Sequence, residues 1–130
     1  MFRRRHIIAP AFTAALVSLM TSLMVSPAHA ADACSRFGTS TPCVYTGEGS
    51  AELNVRDQAG FSGNIIGSLP NHAPVKIYCV VRPGDTMDGM WGSTDVWDQV
   101  TPVYEGWHLV SDGFIYTGSN DPTAPPCAGP

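Results

Sequence analysis

Four cysteines constrain this chain more than any other feature of its sequence. They are Cys34, Cys43, Cys79 and Cys127, and all lie beyond residue 30. An even number of cysteines in a small exported chain is typical of disulfides. Of the three possible pairings we expect Cys34–Cys43 with Cys79–Cys127, because the first pair is local and lies outside the main strand pattern. The two bridges would contribute at most about 2.7 and about 4 kcal/mol, much of a net stability of roughly 5–15 kcal/mol.

The expectation of export rests on the first thirty residues. "MFRRR" is basic, the following stretch is mostly apolar, and Ala28-His29-Ala30 offers the small residues that signal peptidase requires. We therefore predict a signal peptide over residues 1–30 and a secreted protein, extracellular or associated with the cell wall. A retained membrane anchor, twin-arginine export through Arg4-Arg5 and lipidation at Cys34 remain alternatives, although Asp32 fits lipidation poorly.

The charge balance after cleavage excludes one class of partner. Removal of Arg3, Arg4 and Arg5 leaves four of the seven basic residues against eleven acidic ones, a formal net charge of −7. Nucleic acid requires the opposite sign, so we expect no nucleic-acid binding. Simple charge adhesion to anionic wall polymers or membrane surfaces is disfavoured for the same reason. We expect no membrane association after cleavage, and nothing in the sequence argues for more than a monomer.

Short apolar runs separated by Gly, Pro, Asn and Asp predict an all-β fold. They include "LNV", "NIIGSL", "VKIYCVV", "DVWDQV" and "FIY", and none continues into a helical period. We expect a small β-barrel of five or six strands, because closure removes the exposed edges of so small a sheet. "VKIYCVV" is expected to be a central strand with Cys79 facing inward.

The exported chain is short enough for one domain. We expect a disulfide-closed N-terminal segment over residues 31–50 and the barrel over residues 51–118. Residues 119–130, rich in Pro and Gly, form a tail that Cys127 ties back to the strand of Cys79.

The order of the strand motifs resembles that of the bacterial SH3 (SH3b) family of small, secreted or wall-associated β-barrels, and the disulfide-stapled form resembles small secreted actinomycete proteins. The resemblance covers about residues 52–118. It is carried by Leu53-Asn54-Val55-Arg56, Ile66-Gly67-Ser68-Leu69, Val75-Lys76-Ile77, Trp97 to Val100, and Gly106-Trp107. The sequence departs from the family pattern at Ala73-Pro74, at "DQAGFS", which lacks a proline, and in the long connection from Val81 to Trp97.

The resemblance implies an SH3-like barrel that is a non-catalytic binding module. Members bind peptidoglycan or peptides through a shallow groove beside the loop after the first barrel strand. That loop runs here from Asp57 to Asn64. We therefore expect a binding module of the cell envelope, with peptidoglycan or a peptide or protein as its ligand.

Six side chains are candidate ligand contacts. They are Arg56, Asp57, Phe61, Tyr78, Trp91 and Trp97. Exposed aromatic side chains are good binding anchors, and Trp91 stands in the polar stretch "DGMWGST". Barrel core is the competing interpretation for Trp97 and the favoured one for Trp107. For Arg56, a local acidic partner is favoured over a ligand.

An enzyme, a metal site and a cofactor have little support in the sequence. The cysteines are expected to be oxidised, and no nucleophile stands in a recognisable motif with a histidine base. There is no C-x-x-C pair, and neither His72 nor His108 is near a cysteine in sequence. An alternative function from another class is an inhibitor of an extracellular protease, presenting residues 80–91 with Arg82 or Met87 as the anchor.

Overall fold

The computed structural model describes residues 34–39 and 41–128. The predicted signal peptide therefore lies outside the described residues. The strands and 3₁₀ turns of the described residues are, in chain order, β1 Cys43–Val44, β2 Leu53–Arg56, β3 Ile65–Leu69, β4 Cys79–Val81, β5 Met87–Gly89, β6 Gly92–Thr94, β7 Trp97–Gln99, η1 Val103–Glu105, β8 Leu109–Ser111, η2 Asp112–Phe114 and β9 Ile115–Tyr116. In the described part of the chain, no helix is long and apolar enough to cross a membrane.

A five-stranded antiparallel sheet in the order β3-β2-β8-β7-β4 forms the body of the protein. β1 pairs with β9, so the segment before residue 50 is joined to the last strand of the predicted barrel, and β5 with β6 forms a separate hairpin. The all-β prediction is confirmed, with five strands in the main sheet. The hydrogen-bonded ladder runs from β3 to β4 without closing on itself.

Both predicted disulfides are confirmed. Cys34 is bonded to Cys43, and Cys79 is bonded to Cys127. The first bridge fastens the N-terminal segment beside β1. The second fastens the tail, which we define as residues 119–128 in the structure, to β4.

The apolar core lies on one face of the main sheet. Alternation along β2 directs Leu53 and Val55 inward and leaves Asn54 exposed. The core cluster consists of Val44, Leu53, Val55, Val75, Val110 and Ile115. β7 lies between β8 and β4 in the main sheet, and all three of its residues are buried, so both faces of the sheet are covered at this strand.

The prediction of a central strand over residues 75–81 is wrong. β4 is only Cys79–Val81, and it is an edge of the main sheet. The chain before it turns away because the Val75 amide donates to the Pro42 carbonyl and Pro74 bridges Cys43. Cys79 is nevertheless buried, as expected.

Candidate functional site

An apolar groove of about 630 Å³ lies between the loop that follows β2, the strand β4 and the tail. This volume is within the range of about 300–1,000 Å³ that small-ligand sites occupy. Its lining comes from four segments: residues 57–59, residues 80–82, Trp107 with Leu109, and tail residues Pro122, Ala124 and 126–128. We call this cavity the groove.

The loop from Asp57 to Asn64, which we call the binding loop, forms one wall. Its two ends are clamped together: the Asp57 carboxylate accepts hydrogen bonds from the Asn64 amide at 2.7 Å and from the Asn64 side chain at 3.0 Å. The Asp57 amide donates to the Asn64 carbonyl at 3.1 Å. These donors stabilise the charged carboxylate, so they hold the pKa of Asp57 below its ordinary value. The predicted loop is therefore a preformed structure.

Arg56 contacts two residues of the binding loop, Gly63 and Phe61. Its guanidinium donates to the Gly63 carbonyl at 3.0 Å and lies over the Phe61 ring, 5.7 Å from the centroid. The expected acidic partner is therefore replaced by a backbone carbonyl. Phe61 is 57% exposed, and together with Arg56 it lines a second cavity of about 300 Å³ on the other side of the loop.

Trp97 supports the binding loop from below. It is 2% exposed, and its ring N–H donates to the Asp85 carbonyl at 2.9 Å. Asp85 in turn accepts from the Phe61 amide at 2.7 Å, and its own amide donates to the Ala59 carbonyl. This burial fits the core interpretation of Trp97, and the residue also lines the second cavity, with Arg56 and Phe61.

Trp107 lines the groove, contrary to the expectation that it is barrel core. It is half-buried and follows Gly106, which turns the chain with a φ of 91°. The buried Gln99 side chain holds this turn: its amide donates to the Gly106 carbonyl at 2.8 Å, and its carbonyl accepts from the His108 amide at 2.9 Å. The turn directs the ring into the groove.

The tail forms the opposite wall. The Val80 amide donates to the Pro125 carbonyl at 2.9 Å, and the Cys127 amide donates to the Val80 carbonyl at 2.8 Å. Pro126 thereby forms a parallel bridge with Val80. The tail therefore covers the edge of β4, which would otherwise be an unpaired edge of the main sheet.

Few charges line the groove. Arg82 pairs with Asp95 at 2.9 Å, with side chains 54% and 31% exposed. Both oxygens of Asp57 are already engaged by Asn64. The groove is therefore suited to an apolar or weakly polar ligand segment.

The remaining candidate contacts lie outside the groove. Tyr78 is half-buried beneath the Lys76 ammonium, 4.7 Å from its ring centroid. Trp91 is 38% exposed and packs edge-on against Tyr116, with ring centroids 5.3 Å apart. Of the six candidates, only Asp57 lines the groove.

Sequence reasoning missed most of the groove lining. Val81, Leu109 and Ala124 carry no chemical signature, and their convergence depends on which strands pair. The signal that was available is the position of Cys127 within a Pro-rich tail, since a bridge to Cys79 necessarily brings that tail beside β4.

A pair of buried carboxyl groups was also missed. Asp98 and Asp112 are both fully buried, and apart from each other their carboxyl oxygens have no hydrogen-bond partner among the described residues. Burial, with the nearby Asp112 charge, raises the pKa of Asp98 to about 9. Burial raises the pKa of Asp112 to about 6, against a lowering contribution from Asp98. No group of three or more potential metal ligands occurs in the part of the chain that the structure describes.

Comparison with known proteins gives two relatives, both in Bacillus subtilis (strain 168). The uncharacterized protein YraI is 32% identical in an alignment of length 89 that covers 65% of this chain and 73% of YraI. The uncharacterized protein YraJ is 34% identical in an alignment of length 90 that covers 65% of this chain and 73% of YraJ. No protein-family model and no solved structure matches the chain.

Proposed function

This chain belongs to the same family as YraI and YraJ of Bacillus subtilis, and we propose that it is a secreted, non-catalytic binding module of the SH3b type that acts at the cell envelope. Its ligand is the peptide part of peptidoglycan, held in the groove. The preformed apolar groove beside the binding loop is the observation that carries this proposal.

The chemistry of the groove supports a peptide ligand. Trp107 offers a broad apolar surface, and Val81, Leu109 and Ala124 enclose small aliphatic side chains. A peptide segment with small aliphatic side chains matches such a lining. Recognition by shape also agrees with the predicted net charge of the exported chain, because it requires no attraction to the acidic wall polymers.

A non-catalytic function is supported by how the reactive side chains are used. All four cysteines are in disulfides. His72 stacks on Phe37 with ring centroids 3.8 Å apart. Asp98 and Asp112 are sealed in the core, away from the groove.

Cosedimentation of the oxidised exported protein with insoluble peptidoglycan tests the proposal. We expect pelleting that resists high salt and is weakened by Trp107→Ala. Trp91→Ala is the matched control, because it removes the same side chain from a surface outside the groove. Retention in the supernatant at low and high salt would contradict wall recognition. A panel of secreted serine proteases would then test the inhibitor alternative. In that alternative, residues 80–91 are the loop presented to the protease, and Arg82 or Met87 is the anchor.

A further inference from the structure

The two disulfides differ sharply in accessibility. Cys34 and Cys43 have no exposed surface, whereas Cys79 is 6% exposed and Cys127 is half-buried at the surface of the tail. Thiol–disulfide exchange requires a thiolate to reach one sulfur atom. Cys127 is therefore the most exposed cysteine of the two bridges, and we expect a dissolved thiol to attack there first.

The same bridge maintains one wall of the groove. Between residues 121 and 128 most side chains are exposed, so the tail buries little apolar surface of its own. Two backbone hydrogen bonds join it to Val80. Further back, the Asn120 side chain is fastened to the β5–β6 hairpin by donating to the Trp91 carbonyl at 2.9 Å. Without the disulfide, the part beyond Asn120 is held only weakly, since local stability follows buried contacts.

We propose that Cys79–Cys127 is a thiol–disulfide exchange site for a dithiol reductant, and that its reduction releases the tail and dismantles the groove. The step that removes the ligand rests on the proposed function, whereas the release of the tail does not depend on it. The inference joins two observations, the accessibility of Cys127 and the five groove-lining residues that the tail supplies.

The exchange balances as a two-electron reduction. A thiolate of the dithiol attacks the sulfur of Cys127, the Cys79–Cys127 bond breaks, and Cys79 leaves as a thiolate that takes a proton from water. The second thiol of the reductant loses its proton to water, and its thiolate attacks the reductant sulfur of the mixed disulfide. Cys127 leaves as a thiolate and takes a proton from water. The products are two cysteine thiols and the oxidised, cyclic form of the reductant.

Release of the tail has a defined structural consequence. The Val80 amide and carbonyl lose their partners, and the edge of β4 becomes unpaired. The groove loses Pro122, Ala124 and its other tail residues, so one wall is missing and the remaining lining is an open surface. The core, β1 and the bridge Cys34–Cys43 lie elsewhere and are retained.

Mild reduction of the full exported chain tests the exchange step. The protein is treated with graded dithiothreitol, the free thiols are alkylated, and the modified cysteines are located by mass spectrometry. We expect labelling of Cys79 and Cys127 at reductant concentrations that leave Cys34 and Cys43 unlabelled. Simultaneous opening of both bridges, or earlier opening of Cys34–Cys43, would overturn the proposal.

Hydrogen exchange of the same samples tests release of the tail without any ligand. Exchange of the Val80 amide should accelerate by roughly tenfold or more, while the amides of core strand β8 remain protected. In a Trp91→Phe background, quenching of Trp107 fluorescence by acrylamide should also increase. A Val80 amide that remains protected after selective reduction would show that the tail stays in place and would refute the proposal.

The variant Cys79→Ser/Cys127→Ser separates this inference from the proposed function. We expect fast Val80 exchange in this variant before any reductant is added, and no further change on reduction. If oxidised protein pellets with peptidoglycan and the variant does not, the groove wall is required for binding. If oxidised protein fails to pellet but the Val80 amide responds, the proposed function fails and the redox site stands. If the variant does not fold, selectively reduced natural protein takes its place.

Discussion

Asp98 and Asp112 lie close together in the core, each fully buried, and apart from each other neither carboxyl group has a hydrogen-bond partner among the described residues. β7 carries Asp98 opposite Val110 of β8, and Asp112 begins the turn that follows β8. Because burial disfavours the charged form, the pKa of both groups is raised. At neutral pH at least one carboxyl group of the pair therefore keeps its proton.

The pair predicts that stability falls as the pH rises. In the unfolded chain both groups titrate near their ordinary pKa of 3.8, whereas the folded pKa values are about 6 for Asp112 and about 9 for Asp98. Between these limits the folded state binds more protons than the unfolded state, so the free energy of unfolding decreases with rising pH. Thermal melts should show Tm falling from about pH 5 to about pH 9. A Tm that rises over this pH interval would contradict the raised pKa values of Asp98 and Asp112.

Replacement of one carboxyl group should relieve this pH dependence. At pH 8 Asp98 is ionised in the unfolded chain and protonated in the folded protein, so folding must take up a proton. Asp98→Asn removes this cost with little change in shape, so we expect a higher Tm at pH 8 and a flatter profile. Each kcal/mol gained corresponds to a rise of about 4–8 °C in a domain of this size. The exposed Asp121→Asn is the control and should leave the profile unchanged. If Asp98→Asn and Asp121→Asn change the pH profile of Tm equally, burial of Asp98 is not the cause of the pH dependence.

The buried and exposed tryptophans should differ in their effect on stability. Trp97 is 2% exposed, and its indole N–H is bonded to the Asp85 carbonyl, so Trp97→Ala should lower the free energy of unfolding by about 3–5 kcal/mol. Trp91, at 38% exposed, is the matched control. Urea denaturation measures both. Similar losses of unfolding free energy in Trp97→Ala and Trp91→Ala would show that the buried and the exposed tryptophan do not differ in their contribution to stability.

Gly89 is required by close backbone packing. A β-carbon there would overlap the backbone of Gly113 in the turn after β8, so Gly89→Ala requires one of the two chain segments to move. We expect a loss of about 1–3 kcal/mol, the range of an overpacked site. Gly67→Ala is the control, because nothing lies within 4 Å of its β-carbon position. Equal midpoints in urea for both variants would contradict this prediction.

Gln99 is a positioning residue for Trp107. Gln99→Leu removes the buried side chain that bonds the Gly106 carbonyl and the His108 amide, and unsatisfied groups of this kind cost about 1–3 kcal/mol. We expect that loss in urea and altered fluorescence of Trp107 in the folded state. Asn54→Leu, at an exposed position of β2 outside the groove, is the control. If the Trp107 fluorescence of folded Gln99→Leu is unchanged, Gln99 does not position Trp107.

Prediction from the sequence was most successful where a local pattern carries the information. The strand of Leu53 and Val55 is indicated by alternation alone, and Asp57 to Asn64 follows it as a loop with turn residues. The roles of Trp97 and Trp107 were not predictable in this way, because both stand in similar apolar runs. Their burial depends on the neighbours of β7 and on the turn that Gln99 holds.

The sequence by itself determined the all-β class, the two disulfides and the position of the binding loop. Each follows from features close together in the chain: strand periodicity, turn residues, and a local cysteine pair that leaves one partner for each remaining cysteine. Only the tertiary structure decided that β4 is an edge strand, that the tail covers it, and that Asp98 and Asp112 share the core. These features join residues far apart in sequence, so they are set by the order in which strands pair.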